Sequence, residues 1–84
     1  MSRFWADGIV VAVDVGTDFA PLAFRWEQHQ HRVASIVRRW RHDIGWWKRR
    51  VWRECFIVRT ERGLLVELFR DVSSGEWRVQ RVYD

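Results

Sequence analysis

The run from Arg38 to Arg53 concentrates the side chains of this chain that could recognise another molecule. It reads RRWRHDIGWWKRRVWR and holds four of the seven Trp and seven of the fifteen Lys/Arg, with Asp43 its one acid. Indole rings stack on flat partners, and guanidinium forks grip phosphate or carboxylate in bidentate fashion. The same residues can instead serve as the core of a small protein with a solvated cationic rim. Trp26, Trp52 and Trp77 fall on apolar strand faces and are expected in the core. Trp46 and Trp47 are adjacent, and an extended chain points neighbours to opposite faces, so one of them is directed away from the face the other joins. The candidate partner-binding residues are therefore Arg38, Arg39, Arg41, Trp46, Trp47, Lys48, Arg49, Arg50 and Arg53.

The charge distribution supports a local positive face. The net charge is +4, but residues 1–31 sum to −2, residues 32–53 to +7 and residues 54–84 to −1. Fourteen of the fifteen basic residues are Arg. That choice suits bidentate and stacked contacts, although a bias in coding composition produces the same enrichment.

Other chemistry finds little support. His29 and His31 stand two apart, on one face of a strand, but no Cys or carboxylate cluster joins them at metal-ligand spacing. Ser35, Ser73 and Ser74 have no base and orienting acid around them, and the last two fit turn chemistry. The five glycines stand singly, so no phosphate-cradling loop is formed. The lone Cys55 rules out an internal disulfide and reads as a small packed hydrophobe. The expectation is a protein that is not an enzyme and has neither metal nor cofactor. There is no charged-then-apolar leader and no apolar run near the roughly 20 residues a membrane helix needs, so a cytoplasmic, non-membrane setting is expected.

The elements that must position these residues read as strands. At 84 residues the chain is one domain, residues 1–84. Met1 to Asp7 reads as a lead-in. β-branched and aromatic runs bounded by turn residues predict strands near 9–13, 22–26, 31–37, 52–60, 64–70 and 76–83. Leu22, Phe24 and Trp26 share a face by period two, and Glu27–Gln30 suits a hairpin connection. Arg41 to Gly45 breaks the pattern, and Trp46–Arg50 reads as a loop or short strand. Val33, Ile36, Val37 and Trp40 also follow helical spacing, which leaves a helix over 33–42 as the alternative. The fold expected is all-β: a five- or six-stranded antiparallel meander, curled or half-barrel, with α+β as the alternative. Phe24, Trp26, Trp52, Phe56, Leu68 and Trp77 are the expected core.

A set of features in order carries a family resemblance. Pro21, Phe24-Arg25-Trp26, Arg32-Val33, Trp40-Arg41, Trp46-Trp47, a basic stretch, Phe56-Ile57-Val58, Glu67-Leu68-Phe69-Arg70-Asp71, Gly75-Glu76-Trp77 and Arg81-Val82-Tyr83-Asp84 resemble a small bacterial family of uncharacterised domains. That family occurs as stand-alone short proteins. It also occurs as the C-terminal appendage of inactive Y-family polymerase-like proteins of mutagenic DNA repair. The resemblance covers roughly residues 20–84. It implies a context of DNA repair or damage tolerance and no particular activity. The chain departs from the family at Glu27 and Gln28, where the family has a basic, Gly-containing turn.

The first functional expectation is a non-catalytic nucleic-acid-binding module, taking DNA or RNA on an Arg/Trp-rich face. The alternative is a protein-interaction module of a repair or polymerase-associated assembly. A homo-oligomeric structural role stands third.

Overall fold

The β-branched and aromatic runs form seven antiparallel strands: β1 (Ser2–Val11), β2 (Val13–Val15), β3 (Pro21–Trp26), β4 (His29–Trp46), β5 (Arg49–Thr60), β6 (Leu65–Asp71) and β7 (Trp77–Tyr83). The computed structural model describes residues 2–46 and 49–83, with side chains at 3–43 and 52–83. No helix occurs among the described residues, so the chain is all-β. The strand count exceeds the expectation of five or six. Residues 2–7 of the stretch read from sequence as a lead-in belong to β1, and the β-branched run at 9–13 divides at Ala12 into β1 and β2.

The strands pair in the order β1-β7-β6-β5-β4-β3-β2. Its two end strands are consecutive in the chain, separated by Ala12 alone, so the sheet curls back toward itself as a half-barrel. The amide of Arg25 donates to the carbonyl of Ala12 at 3.0 Å, which extends the β2–β3 pairing to that junction.

The helical alternative over 33–42 is corrected by two β-bulges. The β4–β5 register runs Val33↔Thr60, Ser35↔Arg59, Ile36↔Val58, Arg38↔Ile57, leaving Ala34 and Val37 unopposed. Each extra residue shifts the in–out alternation by one. Val33, Ile36 and Arg39 therefore share one side at a spacing of three, which imitates a helix in a strand. The break read at Arg41 to Gly45 is likewise absent. β4 continues through Trp46, paired with β5 as far as Trp46↔Arg49.

The concave side holds the core: Phe24, Trp26, Phe56, Val58, Val66, Leu68, Trp77, Val79 and Val82, with Trp5, Val11, Val13, Val33 and Leu64 packed against it. Phe56 tilts onto Trp77 with centroids 5.4 Å apart, and Trp5 meets Trp26 edge-on at 5.2 Å. Removing each large side chain from water contributes about 1.5–3 kcal/mol. Two expectations need correction. Leu22 is 56% exposed instead of sharing the inner face of Phe24 and Trp26. The β2–β3 register shifts between Asp14 and Val15, and Pro21 takes the buried place. Trp52 is half-buried, since it lies at the end of the sheet where β5 leaves β6 behind.

A second irregularity shapes the opposite, convex side. β1 pairs with β7 at Phe4↔Arg81 and next at Ile9↔Val79, so residues 5–8 bulge opposite Gln80. Trp5 turns inward there, while Asp7 accepts a hydrogen bond from Arg78 Nη1 on its carbonyl at 2.8 Å. Gly8 completes the bulge at φ +73°, and a Cβ on it would stand 2.8 Å from Arg78 Cβ and 2.9 Å from Phe69 Cε1. Gly8→Ala is expected to destabilise by about 2–5 kcal/mol, the sum of left-handed strain and overpacking. The β3–β4 turn has the opposite sensitivity. Glu27 and Gln28 both adopt positive φ, 50° and 66°, the two-residue geometry that favours Asn-Gly. Gln28→Gly is expected to stabilise by about 1 kcal/mol. Urea unfolding midpoints of both variants against the parent check the two signs.

Candidate nucleic-acid interface

Strand alternation divides the sequence-predicted residues between two faces. Arg38 pairs with Ile57, Trp40 with Cys55 and His42 with Arg53, and these side chains lie on the convex side. Arg39 pairs with Phe56 and Arg41 with Glu54, on the concave side. The basic run is thus not one face.

The concave set is internally neutralised. Arg41 and Arg70 are the cross-strand neighbours of Glu54. Arg41 Nη2 donates to Glu54 Oε1 at 2.8 Å, while Arg70 and Arg39 stand 3.7 and 3.9 Å from Oε2. Arg39 also faces the Asp18 carboxylate at 3.6 Å and donates to the Asp18 carbonyl at 3.2 Å. Arg70 lies 5.1 Å over the ring of Phe19, which caps this end of the sheet at φ 62°. Three guanidinia therefore answer to two carboxylates. The hydrogen bond from Arg41 holds the Glu54 carboxyl below its ordinary value near 4.5, against the opposing effect of burial, and Arg70 and Arg39 add to the depression.

The convex set is arranged differently. Arg38 lies 4.9 Å over the Trp40 ring, Arg53 4.4 Å over Phe69, and Arg81 4.8 Å over Phe4 and 5.5 Å over Tyr83. Among the described residues, none of Arg38, Arg53 and Arg81 has a carboxylate within ion-pairing distance. A shallow cavity of about 390 Å³ opens here, lined by Phe4, Arg38, Trp40, His42, Arg53, Cys55, Ile57, Glu67, Gln80, Arg81 and Tyr83. Three guanidinia and one carboxylate, Glu67, face it. A guanidinium over a ring face gains a cation–π contact. Of the three, Arg38 is exposed, while Nε of Arg53 and Nε of Arg81 are buried without a hydrogen-bond partner. Cys55 is buried in the floor, and burial pushes its thiol up to about 11, so it stands there as a neutral apolar group.

Trp40, Phe4, Tyr83, Phe69 and Arg81 were not singled out from the sequence as binding residues. The signal for Trp40 and His42 was the alternation Arg38, Trp40, His42, hidden by reading a break at Arg41. Phe4, Phe69, Arg81 and Tyr83 carry no local signal, since only the β1–β7–β6 pairing brings them beside β4 and β5. Beyond Arg53 the β4–β5 ladder continues without β6. Trp46, Arg49 and Arg50 take the outer register positions of this ribbon. Trp47 and Lys48 lie outside the described residues, as do the side chains of Trp46, Arg49 and Arg50.

His29 and His31 do share a neighbourhood, with rings 6.5 Å apart. His31 is buried, stacked on Phe24 at 5.4 Å, and burial lowers its pKa. Among the described residues no group of three His, Cys, Asp or Glu could hold a metal ion. No helix of the structure is long and apolar enough to cross a membrane. Comparison with protein-family models, with curated proteins and with solved structures finds no match to this chain.

The depressed carboxyl of Glu54 has a consequence for acid stability. A folded pKa below the unfolded one contributes stability that is present above the unfolded value and is lost as pH falls through the folded value. Glu54→Gln is expected to lower stability at neutral pH, because three guanidinia lose a shared carboxylate. It is also expected to flatten the loss of stability on acidification below about pH 4.5. A residual acid dependence remains from Asp71, which the Ser73 hydroxyl hydrogen bond holds below its ordinary 3.8. Urea midpoints from neutral pH down to about pH 3 for both proteins measure the difference.

Proposed function

We propose that this chain is a non-catalytic nucleic-acid-binding domain that holds single-stranded DNA or RNA across the convex face of β4 to β7. The observation that carries the reading is the set of guanidinium–aromatic pairs on the convex face: Arg38–Trp40 and Arg81–Phe4/Tyr83 around a cavity whose one lining carboxylate is Glu67, with Arg53 over the buried Phe69 beside it. Bases released from a duplex stack on aromatic rings and on guanidinium planes, and the cationic guanidinia of the same pairs suit phosphate oxygens. Duplex bases are already stacked on one another, so this face favours unpaired strands. Arg39 and Arg41 contribute less, because Glu54 and Asp18 already engage them. The basic register positions at the end of the β4–β5 ribbon extend the positive strip by charge. A setting in DNA repair or damage tolerance rests on the family resemblance of residues 20–84.

Fluorescence anisotropy with labelled single-stranded DNA and RNA over a salt series tests this. The logarithm of affinity should fall with the logarithm of salt by about 0.7 per phosphate contact. Replacing Arg38 and Arg81 together by Ala should flatten that slope by roughly 1–2 units, and replacing Arg39 and Arg41 should change it less. Trp40→Ala should weaken binding by about 1–3 kcal/mol with the slope unchanged, since stacking releases no counterions. A wild-type protein that binds neither strand at low salt would sink the proposal.

A further inference from the structure

The convex cavity holds one polar group that the arginine–aromatic pairs leave unused. Glu67 is half-buried, and among the described residues its carboxylate has neither a hydrogen bond nor an ion pair. A cross-strand row fixes its surroundings: Arg81, Glu67, Ile57 and Arg38 are neighbours in turn on β7, β6, β5 and β4. Arg81 lies over Phe4 and Tyr83 and stands beyond ion-pairing distance of Glu67. On the other side Ile57 and the neutral Cys55 thiol form an apolar floor. Beyond Ile57 stands the exposed Arg38, 4.9 Å over the Trp40 ring. Two carboxylate oxygens and a guanidinium fork therefore face each other across an apolar strip. Their strands are separated by β5 alone, so their backbones lie about 9–10 Å apart, a gap that a purine with a hydrogen bond at each edge can bridge.

The lining decides what can lie in that gap. Covering Glu67 with a group that offers no donor is costly. A phosphate there meets a like charge, and a cationic ligand is repelled by Arg38, Arg53 and Arg81. The occupant is thus a flat neutral body with donors at one edge and acceptors at another. Among the bases, guanine places two adjacent donors, N1–H and the N2 amine, opposite both oxygens of a carboxylate. It also offers O6 and N7 to an arginine fork, the commonest specific contact of that base. Adenine and cytosine offer a carboxylate one amine. Thymine and uracil offer a single N–H flanked by two acceptors, which the carboxylate repels. The N1 and N2 donors are free for a protein only in an unpaired base.

We infer that this cavity is a guanine-selective subsite, with Glu67 reading N1–H and the N2 amine and Arg38 reading O6 and N7. The inference rests on the strand-binding face proposed above for the source of the base. A free guanine nucleotide carries the same two edges, and the test separates the two sources.

Fluorescence anisotropy on the whole chain, with a labelled oligothymidine whose central position is T, G, A or C, tests it. Intrinsic Trp fluorescence titrations with guanosine and adenosine monophosphate run beside it. The G strand should bind at least about tenfold tighter than the T strand, with A and C between them. Glu67→Gln exchanges an acceptor for a donor at the same size, a pattern that pairs with adenine, so the preference should pass from G to A. A melting curve checks that this variant folds. Arg38→Ala, at an exposed position, should also reduce the preference for G. Equal binding of all four strands, or a G preference that survives both substitutions, would overturn the inference and leave the strand-binding face standing. Binding of guanosine monophosphate over adenosine monophosphate, with no strand bound, would keep the guanine subsite and overturn the strand reading. Binding of neither strands nor nucleotides would overturn both.

Discussion

The packing of Phe56 against Trp77, Leu68 and Val58 inside a curled sheet is the interaction on which the rest of this structure depends. A chain of 84 residues has few ways to remove a sheet face from water without helices to cover it. Curling brings the concave face onto itself, and large aromatic side chains fill the interior with few residues. The bulges at Ala34, Val37 and residues 5–8 are what let long strands follow that curvature. The strain at Phe19, Glu27 and Gln28 lies in the connections and not in the core.

Curvature also sorts the arginines. On the concave side Arg39, Arg41 and Arg70 gather round the largely buried Glu54 carboxylate, and Asp18 engages Arg39 as well. On the convex side, among the described residues, no carboxylate gathers the cations in this way. Arg38, Arg53 and Arg81 lie over aromatic rings; Arg38 is exposed, whereas Nε of Arg53 and Nε of Arg81 are buried without a hydrogen-bond partner. Cross-strand neighbours thus separate cations held by carboxylates from cations held over rings, although Arg38, Arg39 and Arg41 alternate within the same few residues of β4.

The length of β4 relative to its neighbours has a similar double effect. It is long enough to pair with β3 at one end and β5 at the other, which joins the two parts of the sheet. The same excess carries β4 past its last pair with β3 at Arg32 and forms a two-stranded ribbon with β5 beyond Arg53. Sheet pairing and exposed cationic surface therefore arise from one element.

The sequence by itself determined the all-β class, the turns at 60–63 and 71–75 and five of the six core residues named from it: Phe24, Trp26, Phe56, Leu68 and Trp77. These follow from local alternation, β-branched composition and turn chemistry, which act within a few residues. The concentration of positive charge in 32–53 was equally plain. Tertiary structure alone decided how that charge divides. A bulge is invisible to composition, yet each one moves every following side chain to the other face, so the strand residues Val33, Ile36, Val37 and Trp40 read as helical spacing. Leu22 leaves the face of Phe24 and Trp26 for the same reason, a shift of register. Whether an arginine meets Glu54 or an aromatic ring depends on which strand lies beside it. Phe4, Phe69, Arg81 and Tyr83 reach the convex face only through pairings between β1, β7 and β6. Such long-range registers are set by how the whole sheet closes over its core, and no window of the sequence contains them.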